Sequence, residues 1–326
     1  MKKGILFLVI FLLLGLAVSG VGVFAGYQQL QPVSPGKIEA VTFVIPKGQS
    51  VTAIGQRLTD AGLIRHPLAF RFVTWRSNLS NKLQAGSFKI SPNMSTAQIA
   101  DKLTQGSNDV WITVLEGWRV EEIAEMIERQ EFSEFDQAEF LALAKPEEGY
   151  LFPDTYLIQK SATAKTFFQL FRNTFAEKVE EDLAAEIDAS GRSLEDIVTI
   201  ASIVEREASD PDQMRTVAGI LWNRIKLGMG LNVDATLQYI RGYDTAQQAW
   251  WTPPLIADKE STSPFNTYKY MGLPPHPIAN PSLEALKASM NPRASNYLYY
   301  IHDTKGQIHF AETLPEHNAN VQQYLR

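Results

Sequence analysis

The sequence contains no cysteine, and its charge balance is negative. Its 326 residues include 30 lysines and arginines against 36 aspartates and glutamates, which gives a formal net charge of -6. Without cysteine the chain forms no disulfide, so ordinary hydrophobic cores must stabilise it. The negative charge offers no basic surface to a phosphate backbone, and we expect no nucleic-acid partner. A chain of this length can contain more than one domain, each with its own core.

Several signatures of catalysis and cofactor binding are also missing. The five histidines show no HExxH or similar spacing, so a metal site is not expected. No GxSxG motif occurs, and the one SxxK match, Ser34 to Lys37, lies in a linker rather than at the start of a helix. The segment "GMGLNV" from Gly228 lacks the third glycine and the preceding strand of a dinucleotide site. We therefore expect an activity that uses no cofactor.

A long apolar segment follows Lys2 and Lys3. From Gly4 to Tyr27, Ser19 is the only clearly polar side chain. In a helix this segment is long enough to cross a hydrocarbon core about 30 Å thick, and the two lysines favour a cytoplasmic N-terminus. The alternative is a cleaved signal peptide, although the apolar part of such a peptide is typically only about 7 to 15 residues long. We expect a single-pass anchor in the bacterial inner (cytoplasmic) membrane, with the bulk of the chain outside the cytoplasm.

The pattern along the chain predicts an α+β fold in four parts. Residues 1–27 are the cytoplasmic start and the predicted transmembrane helix, and residues 28–37 are a linker with prolines and a glycine. Residues 38–146 repeat a strand-turn-helix pattern, in "FVIPKGQSVTAIGQRL", "FKISPNMSTAQIADKL" and "ITVLEGWRVEEIAEMI". Residues 147–326 are predicted to form a mixed helical and loop-rich catalytic domain.

The repeat copies share two sets of apolar positions, four residues apart: Ile54, Ile99 and Ile123, then Leu58, Leu103 and Ile127. Ser50 and Ser95 stand where helix N-caps belong, and Arg119 replaces them in the third copy. The first two copies resemble the small β-α-α-β carbohydrate-binding modules of the LysM type. A purely structural spacer is the alternative. An aromatic side chain such as Trp75 can stack on a sugar ring or belong to a core.

The stretch "TIASIVEREASD" contains a carboxylate in an unexpected place. A helix is predicted from about Ser193, its N-cap, to Ala208, and Glu207 falls at the margin of its apolar face, between Ile200 and Ile203. An apolar environment raises the pKa of a carboxyl group and keeps it protonated nearer neutrality, as a general acid requires.

Two other interpretations concern the same pair of glutamates. Glu207 can instead form a structural ion pair with Arg215 or Arg224, because ion-pair networks also perturb carboxylates. For Glu205, which lies further round the helix, we expect a salt bridge rather than a role in positioning a partner.

An exported domain without a cofactor, but with a buried carboxylate, is suited to acid-base chemistry on a polymer outside the cytoplasm. The cell wall is the polymer most available there. Ordinary glycosidases need two carboxylates across the sugar bond. A lytic enzyme needs one dominant carboxylate, because the C6 hydroxyl of the substrate itself is the nucleophile.

Five segments make the comparison specific: "EGYLFPDTY", "ASIVEREA", "VAGILWNRIKLGMGLNVDATLQY", "SPFNTYKYMGLPPHPIANP" and "YLYYIHDTKGQIHFAETLPEHNANVQQYL". In this order they resemble the endolytic murein transglycosylase family, also called the YceG-like family. The resemblance implies a lyase that cleaves the bond between N-acetylmuramic acid and N-acetylglucosamine inside nascent peptidoglycan strands. It leaves 1,6-anhydromuramic ends and limits strand elongation.

The resemblance also implies site residues. The family's catalytic glutamate corresponds to Glu207. Further positions are expected to line the glycan groove or to face the same cleft: Asn266, Thr267, Tyr268, Asp234 and Thr236. Asx-turns and core packing are the alternative explanation for them. The family often has Asp-Pro-Thr where this chain has Asp234-Ala235-Thr236.

A different class of function also fits the pattern. A non-catalytic wall-binding scaffold would hold peptidoglycan through the LysM-like repeat and recruit peptidoglycan synthases or division proteins. Such a scaffold has no need of Glu207 on an apolar helix margin, so this residue separates the two hypotheses.

Overall fold

The structure is a computed structural model that describes residues 20, 22–106 and 109–325. Its helices are interspersed with small two-stranded sheets, and the first two strands and the last two strands in chain order form antiparallel pairs, so the fold class is α+β. Among the described residues, no helix has both the length and the apolar character needed to cross a membrane.

The predicted transmembrane helix is therefore wrong as part of this fold. Residues 22–30 are helical. Residues 1–19 and 21, which include most of the predicted Gly4–Tyr27 span, lie outside the described residues.

The chain folds as two compact units. The first extends to Trp111 and includes Leu157–Lys160, and the second contains Ile112–Tyr156 and the chain from Ser161 onward. The third copy of the repeat therefore lies in the second unit. Strands β3 (Asp109–Thr113) and β4 (Thr155–Gln159) pair as a two-stranded sheet.

After the helical residues 22–30, the first unit has a β-α-α-β order followed by one more helix. Its elements are β1 (Val41–Ile45), α1 (Val51–Asp60), α2 (Pro67–Arg76), β2 (Gly86–Ile90) and α3 (Thr96–Lys102). The two strands are antiparallel, and the register runs from Val41 opposite Ile90 to Ile45 opposite Gly86. Ser50 and Ser95 cap α1 and α3 as predicted, because their side chains accept hydrogen bonds from the first-turn amides of Ala53 and Gln98.

The periodic positions of the repeat are core positions in each copy. All six apolar residues that superpose in the sequence are buried. The side chains of the first unit's core come from both strands and all three helices, and include Phe43, Ile45, Ile54, Leu58, Phe70, Ile90, Ile99 and Leu103. Side chains three and four residues apart therefore form one continuous apolar face on each helix.

The second unit is mainly helical. Its helices are α4 (Val120–Glu128), α5 (Gln137–Ala144), α6 (Ala164–Phe175), α7 (Ala184–Ser190), α8 (Leu194–Glu207), α9 (Pro211–Lys226), α10 (Asp234–Arg241), α11 (Leu283–Met290) and α12 (Leu314–Tyr324). Short 3-10 segments span Lys145–Glu147 and Ile256–Glu260, and a π-helical segment, Ala176–Glu181, follows α6.

Three of these helices form the centre of the second unit. Helices α8, α9 and α11 pack on one another around a core that includes Ile197, Ile200, Val204, Val217, Leu221 and Leu286. Strands β5 (Tyr299–His302) and β6 (Ile308–Ala311) form an antiparallel pair, with α12 packed against it. One end of α8 is therefore surrounded by elements from later in the chain.

Asn280 anchors the long loop that precedes α11. Its side-chain oxygen accepts hydrogen bonds from the amides of Gly149 (3.0 Å) and Leu151 (2.9 Å). Its side-chain nitrogen donates to the backbone oxygen of Trp118 (3.0 Å) and to the buried carboxyl group of Glu148 (3.1 Å). Because buried polar groups need partners, this one side chain fixes where the loop lies on the second unit.

Candidate active site

Helix α8 ends at Glu207. Ser193 caps its first turn by accepting a hydrogen bond from the amide of Asp196 (3.1 Å), and Ala208 leaves the helix in an extended conformation. The predicted helix therefore matches the observed one to within one residue at each end. Glu207 lies at the carbonyl end, where the partial negative charge of a helix disfavours a second negative charge.

Glu207 faces a cleft of about 460 Å³ in the second unit. The end of α8, the last turn of α9, the start of α10, the strand β5 and the start of α12 all contribute to its wall. The lining residues are Glu207, Arg224, Leu231, Asn232, Val233, Asp234, Tyr268, Tyr299, Tyr300, Ile301, His302, Leu314 and His317. The cleft is large enough to take part of a carbohydrate chain.

Tyr300 holds the carboxyl group of Glu207. Its phenolic oxygen donates a hydrogen bond to Oε2 of Glu207 at 2.9 Å, across 93 positions of sequence. The pKa of Glu207 is raised to about 7, chiefly by burial and to a lesser extent by the nearby charge of Asp234. The hydrogen bond from Tyr300, the charge of Arg206 and the backbone amide of Ala235 act in the opposite direction. A substantial fraction of Glu207 is therefore protonated at neutral pH, which suits it to act as a general acid.

The two arginines considered as ion-pair partners of Glu207 bind elsewhere. Arg215 donates from Nε to the backbone oxygen of Asn291 at 3.1 Å. Arg224 lines the cleft, but its guanidinium donates to the backbone oxygens of Leu298 (2.7 Å) and Leu231 (2.6 Å). Within the described part of the chain, Glu207 forms no salt bridge.

A second carboxylate faces the same cleft. Asp234 is the first residue of α10, and its Oδ1 accepts a hydrogen bond from the phenol of Tyr268 at 2.6 Å. The ammonium group of Lys259 lies 4.4 Å from the centre of the Tyr268 ring. The structure therefore brings Glu207, Asp234 and Tyr268 together in one cleft.

The other predicted groove residues are buried and do not line the cleft. Asn266 donates to the backbone oxygens of Lys259 and Ser261, both at 2.9 Å. Thr267 accepts from the amide of Val233 at 3.1 Å, and its hydroxyl lies 2.9 Å from that of Thr236. These contacts stabilise the loops around Asp234 and Tyr268, which agrees with the turn-and-packing alternative.

Glu205 has a different partner from the predicted salt bridge. Its Oε2 accepts hydrogen bonds from the hydroxyl of Ser282 and from the Ser282 amide (2.9 Å). Ser282 is the N-cap of α11. Burial is the largest influence on the pKa of Glu205, which lies above its ordinary value. Glu205 thus joins the end of α8 to the start of α11 and does not line the cleft.

Sequence reasoning missed several cleft residues, including Tyr300, His302 and His317, and considered Arg224 only as an ion-pair partner of Glu207. One local signal was available for two of them. In the strand "YLYYIHD" the side chains alternate, so Tyr300 and His302 are expected on the same face. Their rings are 6.1 Å apart in an edge-to-face arrangement. No pattern in the neighbouring sequence indicates that this face of the strand packs against the end of α8.

The fold and the cleft define a class of protein: an α+β chain with a buried carboxyl group of raised pKa beside a second carboxylate. Its described residues contain no group of three or more histidines, aspartates and glutamates arranged to hold a metal ion. The model of the YceG-like family matches residues 43–323. The chain belongs to the YceG-like family.

Named relatives and a solved structure share this similarity. The endolytic murein transglycosylase of Streptococcus pneumoniae is 29% identical over 97% of this chain, which spans 65% of the length of that relative. The endolytic murein transglycosylase of Bacillus subtilis is 30% identical over 92% of this chain and 89% of its own length. A crystal structure of a yceG-like protein from Listeria monocytogenes has a TM-score of 0.59 and 28% identity, covering 86% of this chain and 98% of the other.

The raised pKa of Glu207 predicts a pH-dependent effect of Glu207→Gln on stability. Between its ordinary value of 4.5 and the folded value of about 7, the folded chain binds more protons than the unfolded chain. This residue therefore makes the wild type less stable as pH rises through that window. Relative to wild type, Glu207→Gln should gain about 3 kcal/mol of unfolding free energy between pH 4 and pH 8.

Urea denaturation of both proteins at each pH measures this difference, and other titrating groups largely cancel in it. Glu195→Gln, an exposed change in the first turn of α8, is the control. A difference between Glu207→Gln and wild type that does not vary with pH would contradict the raised pKa.

Proposed function

We propose that this chain is an endolytic peptidoglycan lytic transglycosylase, a lyase that needs no cofactor. It cleaves the bond between N-acetylmuramic acid and N-acetylglucosamine within glycan strands and leaves 1,6-anhydromuramic ends, which limits strand elongation. The observation that carries the proposal is the position of Glu207, a carboxyl group with a pKa of about 7 that faces a cleft. The names of the relatives from Streptococcus pneumoniae and Bacillus subtilis support it.

In this mechanism Glu207 gives its proton to the glycosidic oxygen as the bond to C1 of the muramic residue breaks. The C6 hydroxyl of the same residue attacks C1 and closes the anhydro ring. Tyr300 orients the acid by its hydrogen bond to Oε2, so that the proton is presented from a fixed position. The reaction adds no water to the substrate. Because peptidoglycan lies outside the cytoplasmic membrane, we place the activity there.

We also propose a role for the first unit, as a glycan-binding module of the LysM type. Its β-α-α-β order supports this role. So does a surface pocket of about 530 Å³, lined in part by Thr52, Arg71, Phe72 and Trp75. Trp75 is 71% exposed, so its ring face is free to stack on a sugar.

Trp75→Ala should weaken binding of the chain to insoluble peptidoglycan by about three- to tenfold, because it removes one stacking surface. Co-sedimentation at several protein concentrations measures the affinity. Ile38→Ala removes another exposed apolar side chain of the same unit and should leave binding unchanged. Equal binding by Trp75→Ala and wild type would favour the spacer interpretation.

Glu207→Gln should lower the rate of glycan cleavage by about 10² to 10⁴, because glutamine keeps the shape of the side chain but has no transferable proton. Glu205→Gln changes a carboxyl group of the same helix that does not line the cleft, and should stay within about tenfold of wild type. The measurement is the length distribution and mass of strands after digestion of isolated peptidoglycan.

The product mass tests the class of reaction separately. Anhydro products are lighter by one water than hydrolysis products. Full activity of Glu207→Gln would contradict the assignment of Glu207 as the general acid. It would favour the alternative of a scaffold that recruits synthases or division proteins. Hydrated ends would keep the role of Glu207 but make the enzyme a hydrolase.

Tyr300→Phe should move the alkaline limit of activity to higher pH. Wild-type activity should fall as pH rises through about 7, where the acid form of Glu207 is lost. The phenol of Tyr300 lowers the pKa of Glu207, so its removal should shift the limit upward by about 1 pH unit. The pH profile of kcat/KM measures this limit.

Other groups near Glu207 stay in place in this variant, on α8, α9, α10, α12, β5 and the loop before α11: Arg206, Arg224, Asp234, Tyr268, His302 and His317. Tyr299→Phe alters a neighbouring cleft phenol that is not bonded to Glu207 and serves as the matched comparison. An unchanged or lower limit in Tyr300→Phe would show that the hydrogen bond does not act on the acid.

A further inference from the structure

We propose that Asp234 is the catalytic base that removes the proton from the attacking hydroxyl group. This inference rests on the proposed transglycosylase function and assigns the step that Glu207 leaves open. When Glu207 protonates the leaving oxygen, the attacking C6 hydroxyl must lose a proton, and a second group facing the same cleft is suited to receive it.

The carboxylate of Asp234 is held in a defined position. Asp234 is exposed to the cleft, and the phenol of Tyr268 donates to its Oδ1 at 2.6 Å. The next residue, Ala235, places its backbone amide against Glu207, and the charge of Asp234 influences Glu207 directly. The start of α10 therefore brings the two carboxyl groups to the same part of the cleft.

The two groups lie at opposite kinds of helix end. Glu207 is at the carbonyl end of α8, where burial and the helix disfavour its charged form. Asp234 is in the first turn of α10, where free amides favour a carboxylate. When the environments of two carboxyl groups in one site differ in this way, one is suited to be the acid and the other the base.

The step balances without any added reactant. The bond between C1 and the glycosidic oxygen breaks, and that oxygen takes the proton of Glu207. The bond between C1 and O6 forms, and the proton of the C6 hydroxyl passes to Asp234. Afterwards Asp234 releases this proton to solvent and Glu207 takes one up, so the site returns to its starting state.

Two other side chains of the cleft are chemically able to take a proton. His302 lies beside Tyr300, with the ring centres 6.1 Å apart, and His317 lies beside Tyr299, at 5.3 Å. The carboxylate of Asp234 is held by the phenol of Tyr268, and the amide of the next residue, Ala235, bonds to Glu207. This placement favours Asp234.

The test is Asp234→Asn in the full chain, assayed on isolated glycan strands. We expect kcat to fall by about 10² to 10⁴ with KM changed by less than about threefold, because asparagine keeps the shape but accepts no proton. Loss of the Asp234 charge also removes a repulsion that raises the pKa of Glu207, so the alkaline limit of the residual activity should move to lower pH. This shift is opposite to that expected for Tyr300→Phe.

A rescue experiment separates a base from a structural residue. In Asp234→Ala, added formate supplies a small carboxylate and should restore activity in proportion to its concentration. Asp212→Asn is the matched control, since Asp212 is also an exposed aspartate in the first turn of a helix, α9, and does not line the cleft. Its activity should equal that of wild type.

Several outcomes would overturn the assignment. Asp234→Asn with more than about a tenth of wild-type kcat would mean that Glu207 performs both transfers. A loss confined to KM would make Asp234 a binding residue, and an equal loss of kcat in His302→Gln or His317→Gln would move the base to a histidine.

The result for Glu207 keeps the two proposals apart. If Glu207→Gln is inactive and Asp234→Asn is active, only the assignment of Asp234 as the base is contradicted. If Glu207→Gln is active, the proposed function itself is contradicted. Hydrated products with an impaired Asp234→Asn would keep Asp234 as the base and replace the C6 hydroxyl by water.

Discussion

The burial of one carboxyl group at the carbonyl end of α8 is the constraint on which the rest of the site depends. Removing a carboxylate from water is unfavourable, so the fold must either pair the group or leave it protonated. Here no described cation pairs with Glu207, and its carboxyl group accepts a hydrogen bond from the phenol of Tyr300. The groups around Glu207 only partly offset the cost of burying its charged form. The carboxyl group therefore keeps a proton near neutral pH.

The same rule explains why the two neighbouring glutamates differ. Glu205 is also partly buried, but its oxygen accepts from the hydroxyl and the amide of Ser282 at the start of α11. Those bonds use the carboxyl group to join two helices, and the group does not reach the cleft. A separation of two residues along α8 thus distinguishes a carboxyl group that joins two helices from one that faces the cleft.

Sequence reasoning predicted the parts of the site that depend on local pattern. The N-cap Ser193, the helix bounds and the marginal position of Glu207 follow from capping and from a period of 3.6 residues. Tyr300 was not predictable in this way, because 93 positions separate it from Glu207 and only tertiary packing brings them together. Asn266 and Thr267 show the opposite problem: a polar side chain that satisfies loop amides looks, in sequence, like one that faces a ligand.

Arg224 explains how distant segments meet at one carboxyl group. Its guanidinium donates from Nε to the backbone oxygen of Leu298, just before the strand that carries Tyr300. It also donates from Nη1 to the backbone oxygens of Gly230 and Leu231, just before the helix that begins at Asp234. A planar, permanently charged group that makes several bonds has one favourable orientation. A single side chain of α9 therefore sets the spacing between β5 and the start of α10, the two elements that meet Glu207 from different directions.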